Sequence, residues 1–207
     1  MNKLTIIKFI AGFTFLVGVA VMLGWYFDIN ALTSVVPGLA TMKFTTAICF
    51  SLSGVMLFFM ARVFEGELDV SHIALSLTAF IILLIMSVLF FSVFFEIHTG
   101  IEDLFVVQAK ESIFTVPQGQ PSMGTIFNFI LIGIGSILVI YDPQWCRKKL
   151  FLLGGLIAVV SLTAVVGYMI NVPYLYYEAD GISNAMAIHT AILFALQGSG
   201  FMLLAKD

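Results

Sequence analysis

Few side chains in this chain could carry chemistry, and most of them sit beside long apolar runs. The histidines are His72, His98 and His189. Met186 lies three residues before His189, and Met42 and Met123 also precede apolar runs. Thioether and imidazole groups together suit a copper-type ion. The histidine is not repeated, however: Thr45 and Ile126 stand where His189 stands. Haem ligation would want paired histidines at one depth on facing helices, and only His98 and His189 fall on one side of the topology below. We expect no metal and no cofactor.

Hydroxyl, amide and phenol groups form a second set. Thr46 and Thr190 fall near the starts of apolar runs, where a hydroxyl can satisfy a helix's orphan donors. Asn128 and Gln197 are the most polar side chains inside such runs. They can line a cavity or bond between helices. Trp25, Tyr26, Tyr168, Tyr174, Tyr176 and Tyr177 form an aromatic rim. Such residues belong to a membrane interface whatever the function. With Glu178 and Asp180 they could also frame a mouth for a cationic ligand. Phosphate-binding loops, zinc-ligand spacing, nucleophile elbows and dinucleotide fingerprints are all missing. No catalytic constellation is visible, so no enzyme and no nucleic-acid binding is expected.

The elements that must position these groups are membrane helices. Of 207 residues 61% are hydrophobic and only 10% charged, with a mean hydropathy of +1.11. A soluble domain carries about 25% charged residues, so lipid must solvate most of this surface. Six stretches approach the roughly 20 apolar residues that cross a bilayer: 6–27, 45–61, 73–95, 125–141, 150–170 and 187–205. They are continuously apolar rather than alternating, which excludes barrel strands. The first is too long for a signal-peptide core, and no small-residue cleavage pattern follows it.

With the N-terminus inside, Lys3, Lys8, Arg62, Arg147, Lys148, Lys149 and Lys206 are cytoplasmic, leaving only Lys43 and Lys110 outside. That asymmetry places both termini in the cytoplasm. The outer segments are acidic, through Asp28, Glu96, Glu102, Asp103, Glu111, Glu178 and Asp180, which favours a cationic or neutral ligand over an anion. Within the outer loop 96–124, apolar Ile101, Leu104, Phe105, Ala109 and Ile113 suggest a short interfacial helix. Cys49 and Cys146 fall at different depths and form no disulfide framework.

One pattern exceeds general greasiness. Met-x-x-x-Thr-Ala-Ile-x-Phe-x-x-x-Gly occurs at 42–54 and again at 186–198. Each copy follows an aromatic-ended run, Gly24-Trp25-Tyr26 and Gly167-Tyr168. A third copy, with Met123 twelve residues before Gly135, lacks the Thr-Ala pair. Residues 1–207 therefore read as one all-α integral membrane domain. It comprises six transmembrane helices as three like-oriented helical hairpins, about 6–61, 73–141 and 150–205, in a pseudo-threefold arrangement. Packing alone accounts for the glycines, since small residues let helices approach.

The segments Pro37-Gly-Leu-Ala-Thr-Met-Lys-Phe-Thr-Thr-Ala and Met186-Ala-Ile-His-Thr-Ala-Ile-Leu-Phe-Ala-Leu-Gln-Gly resemble the multi-span membrane input regions of prokaryotic signalling proteins. These are the membrane-associated sensor domains that precede histidine kinase or diguanylate cyclase modules. The resemblance implies a sensor domain for signal transduction in the prokaryotic cytoplasmic membrane, with a small-molecule ligand and a homo-oligomeric state. It also implies relay through the last helix to a cytoplasmic output domain or partner protein, as in two-component systems. No output domain follows within these residues. Met42, Thr46, Met186, His189 and Thr190 are the expected ligand-binding residues, with Tyr168 and Tyr174 on the rim. The alternatives are a substrate-binding subunit of an energy-coupling transporter and a structural subunit of a larger membrane complex.

Overall fold

The computed structural model describes residues 2–34, 39–95, 97, 99–101, 119–176 and 185–206. The proposed interfacial helix of loop 96–124, together with His98, Tyr177, Glu178 and Asp180, lies outside them. Among the described residues the chain is all helical. In order it runs α1 (Lys3–Tyr26), the single turn α2 (Asn30–Thr33), α3 (Phe44–Phe64), α4 (Asp69–Phe94), α5 (Met123–Tyr141), α6 (Arg147–Met169), a 3₁₀ turn (Pro173–Leu175) and α7 (Ile188–Ala205). All but α2 and the 3₁₀ turn are long and apolar enough to cross a membrane, which makes six candidate spans.

Several helices begin or end beyond the apolar windows read from the sequence. α1 starts at Lys3, α4 at Asp69 and α6 at Arg147, while α3 continues past Arg62 to Phe64. Hydropathy stops at the first charge. The backbone does not, because long basic side chains reach the polar boundary while their stems lie along apolar surface.

α1 packs most closely on α3, α4 on α5 and α6 on α7. Further junctions join α3 to α4, α7 to α1 and α5 to α6, the last being the smallest of the three. More than half of the apolar stretch of α3, α5 and α7 is buried, against 33–39% for α1, α4 and α6. The first three are thus the inner helices. The two amides within the spans, Asn128 and Gln197, are both buried in inner helices. The outer helices expose Phe9, Leu16, Ile73, Phe80, Leu152 and Val159, which suit acyl chains.

At the centre Phe50, Phe129 and Phe194 meet with ring centroids 4.7–4.9 Å apart. Each lies seven residues after its helix's N-cap, which is Lys43, Ser122 or Ala187. In the same register Thr46, Thr125 and Thr190 occupy the third position, and Gly54, Gly133 and Gly198 the eleventh. This corrects the reading of the middle copy. Aligning it through Met123 and Gly135 is two residues out of register. Counted from the N-caps, all three inner helices carry Thr-x-x-x-Phe-x-x-x-Gly.

The glycines permit backbone contact. A Cβ on Gly54 would lie 2.7 Å from the Ala11 carbonyl oxygen, and one on Gly198 2.7 Å from that of Gly154. The outer helices end alike too. Ile29 N–H donates to Gly24 O (2.8 Å), Val172 N–H to Gly167 O (2.9 Å) and Ile97 N–H to Ser92 O (3.0 Å). Asp28 and Asn171 hold φ of 55° and 54°, the left-handed conformation that closes such helix ends and that Asp and Asn tolerate best among side-chain-bearing residues.

Candidate functional site

Met42 and Met186 each cross from a helix-end corner into an inner helix, and both are buried. Met42 N–H donates to Thr33 O and Met186 N–H to Tyr176 O, each at 3.0 Å. Their carbonyls accept from Trp25 Nε1 and from Tyr168 Oη, each at 2.8 Å. The thioethers therefore sit where backbone tethers lock the chain. The Tyr168 ring stacks on Tyr176 with centroids 3.9 Å apart. In the middle hairpin Ser92 Oγ, which donates to Ile97 O, accepts from Gln120 Nε2; both bonds are 2.7 Å.

Thr46 and Thr190 are buried one turn above the phenylalanine cluster, in register with Thr125. They do not cap their helices. α3 and α7 have no side-chain cap bond, and only Ser122 of α5 supplies one among these three, accepting from Thr125 N–H at 3.2 Å. The expectation that Thr46 and Thr190 satisfy orphan donors fails because each sits at the third helical position, past the cap.

His189 is 92% buried, yet neither ring nitrogen has a hydrogen-bond partner. Its register equivalent in α3, Thr45, is also buried with an unpartnered hydroxyl. The equivalent in α5 is Gly124, and the space above it is filled by the Met186 methyl, 3.0 Å from where a Cβ would stand. Four residues deeper, Asn128 is fully buried with both amide atoms unpartnered. Most buried polar atoms in proteins are paired, so this concentration within two turns of the N-caps is exceptional. Below the aromatic cluster Gln197 Nε2 donates to Ser53 Oγ at 2.7 Å and joins α7 to α3, while its Oε1 has no partner.

Lys43, the N-cap of α3, is buried, and desolvation lowers its ammonium to a pKa of about 8. At this end the described residues also include the acid Asp28, and the N-terminal dipoles of the inner helices face the C-terminal ones of the outer helices. The acids Glu96, Glu102, Asp103, Glu111, Glu178 and Asp180 lie outside the described residues. Tyr174 does not join the buried set. It is 76% exposed, because the 3₁₀ turn folds Leu175 over Gly167 and leaves Tyr174 pointing away.

An apolar groove of about 370 Å³ runs beside this region, lined by Phe90, Met123, Gly124, Ile126, Phe127 and Val160. It follows the α5–α6 junction, where Gly124 replaces the side chains of Thr45 and His189. Sequence reasoning missed Thr45, Thr125 and Lys43 as site residues. Aligning the three copies on Thr-x-x-x-Phe-x-x-x-Gly would have found Thr125. Compared with protein-family models, curated proteins and solved structures, the chain shows no match.

Proposed function

We propose that this chain is a membrane-embedded sensory input module of a prokaryotic cytoplasmic membrane. In this reading it consists of three like-oriented hairpins about a pseudo-threefold axis, with both termini cytoplasmic. A small hydrogen-bonding cue enters from outside or from the bilayer and binds among the first two turns of α3, α5 and α7. Binding then biases the arrangement of α7, whose cytoplasmic end leads to an output domain or partner. The observation that carries this reading is that five of the seven unpartnered buried side-chain atoms among the described residues belong to Thr45, Asn128 and His189. They lie at one end of the inner helices, above a closed aromatic cluster. Orphan buried groups cost stability, and a cue that pairs with them in one helix arrangement more than in another would shift the population between the two.

The test fuses the chain, through Lys206, to a histidine kinase core in membrane vesicles. Autophosphorylation is read without and with a panel of small polar solutes and membrane extracts. Thr46→Val combined with Thr190→Val should change both basal and stimulated output. Output identical to the parent fusion would overturn the pocket.

A further inference from the structure

Lys3, Lys8, Arg62, Arg147 and Lys206 gather at the opposite end of the bundle, where Lys3 donates to the Lys206 carbonyl. Most acids there are already engaged. Glu65 pairs with Lys8 at 2.7 Å and Glu67 with Arg62. The Asp142 carboxylate accepts from the backbone N–H groups of Gln144 (2.8 Å) and Trp145 (3.0 Å). Arg147 lies over the Phe64 ring and donates to the Lys206 carbonyl at 2.9 Å. Lys148 and Lys149, consecutive on the first turn of α6, and the Lys206 ammonium have no ion pair to an acid among the described residues.

Lys148 and Lys149 line a cleft of about 710 Å³ with Gln144, Trp145, Phe151 and Ala205. Three features of the cleft converge on one kind of occupant. Trp145 is more than half exposed beside the Lys149 ammonium, the position of an aromatic at a headgroup layer. The first turn of α6 has no side-chain cap, since the Cys146 thiol donates instead to Pro143 O. The helix dipole at this end therefore favours an anion. One turn on, Phe151 and Leu152 are exposed and apolar, so the cationic mouth continues into acyl-chain surface.

We propose that this cleft binds the phosphate of an anionic phospholipid, held by Lys148, Lys149 and the start of α6, with its acyl chains along Phe151 and Leu152. Arg147 forms one wall and also holds the Lys206 carbonyl, so the headgroup abuts the end of α7. A soluble phosphate would gain the charges but none of the apolar wall.

The test uses the full chain in a neutral detergent, titrated with phosphatidylglycerol, phosphatidylcholine or inorganic phosphate and read by native mass spectrometry and thermal unfolding. Phosphatidylglycerol should be retained and raise the unfolding midpoint; the other two should do neither. Lys148→Gln combined with Lys149→Gln should weaken phosphatidylglycerol binding roughly tenfold or more. Lys148→Arg combined with Lys149→Arg keeps the charge and should keep the binding. Lys8→Gln combined with Arg62→Gln removes the same charge from the same end and should leave binding within about twofold of the parent. Equal loss in that control, equal binding of phosphatidylcholine, or equal protection by inorganic phosphate would overturn the assignment.

Discussion

The Trp25 indole donates to the Met42 carbonyl at 2.8 Å, tying the end of α1 to the last residue before the α3 cap. Tyr168 does the same to Met186, at the same distance, from the end of α6 to the start of α7. An indole and a phenol thus perform one task at equivalent corners. Each fixes a carbonyl just ahead of an inner helix, and so sets the depth at which Thr46 and Thr190 enter the bundle.

Trp25→Phe and Tyr168→Phe each remove the donor while keeping an aromatic ring. Each should lower stability by about 1–2 kcal/mol, the cost of a part-buried hydrogen bond with an orphaned carbonyl. Thermal unfolding in detergent measures it. Trp25→Tyr, which restores a donor of different reach, should recover part of the loss. No change in either phenylalanine variant would show that the tethers do not hold the corners.

Gly54 and Gly198 sit at matching places in α3 and α7, against the backbones of α1 and α6. Gly54→Ala and Gly198→Ala put a methyl about 2.7 Å from a carbonyl oxygen, so the helix pair must separate. Each should cost about 1–3 kcal/mol. Gly12 and Gly155 lie on the same outer helices with open space around them. Gly12→Ala and Gly155→Ala should be neutral or mildly stabilising, because alanine is the better helix former. Equal destabilisation by all four variants would sink the close-packing account.

The six spans were legible because a bilayer demands about 20 apolar residues and tolerates little else. The ends were less legible, since α1 and α6 continue into Lys3 and Arg147 where hydropathy has already fallen. The full Met-Thr-Ala-Gly pattern survives only in the first and last copies. In the middle copy Met123 and Gly135 imitate its twelve-residue spacing two positions away from the structural register. The shorter Thr-x-x-x-Phe-x-x-x-Gly, present in all three, sets the copies level, in agreement with the N-caps and the meeting of Phe50, Phe129 and Phe194. The tethers were hidden because Trp25 and Tyr168 differ in chemistry while sharing a role. The orphaned atoms of Asn128 and His189 could not be read at all, because pairing is a property of neighbours and not of a residue.

Lys43 makes stability depend on pH. Burial lowers its pKa from 10.5 to about 8, so between these values the unfolded chain binds a proton that the folded one does not. Stability should therefore rise as pH increases from about 8 to 10.5, and the full penalty applies below 8. At pH 7 the penalty is up to about 3 kcal/mol. Lys43→Met should raise the unfolding midpoint at pH 7 and flatten this part of the profile. A profile from pH 7 to 10.5 that is the same with and without Lys43 would show that the ammonium is solvated.

Asn128 separates packing from binding. Its amide is fully buried in α5 with no partner for either atom, while its register equivalents are Cys49 in α3 and Leu193 in α7. An apolar residue is therefore sterically natural at this position. Asn128→Leu should stabilise the unliganded protein, by about 1–3 kcal/mol if the desolvation cost of the amide is recovered. In the kinase fusion the same variant should lose its response to whichever solute stimulates the parent. Gain of stability with loss of response is what a binding group held at a folding cost produces. Loss of stability would instead mean that the amide is paired in the folded state. A more stable variant with an intact response would remove Asn128 from the site and leave Thr45, Thr46, His189 and Thr190 to carry it.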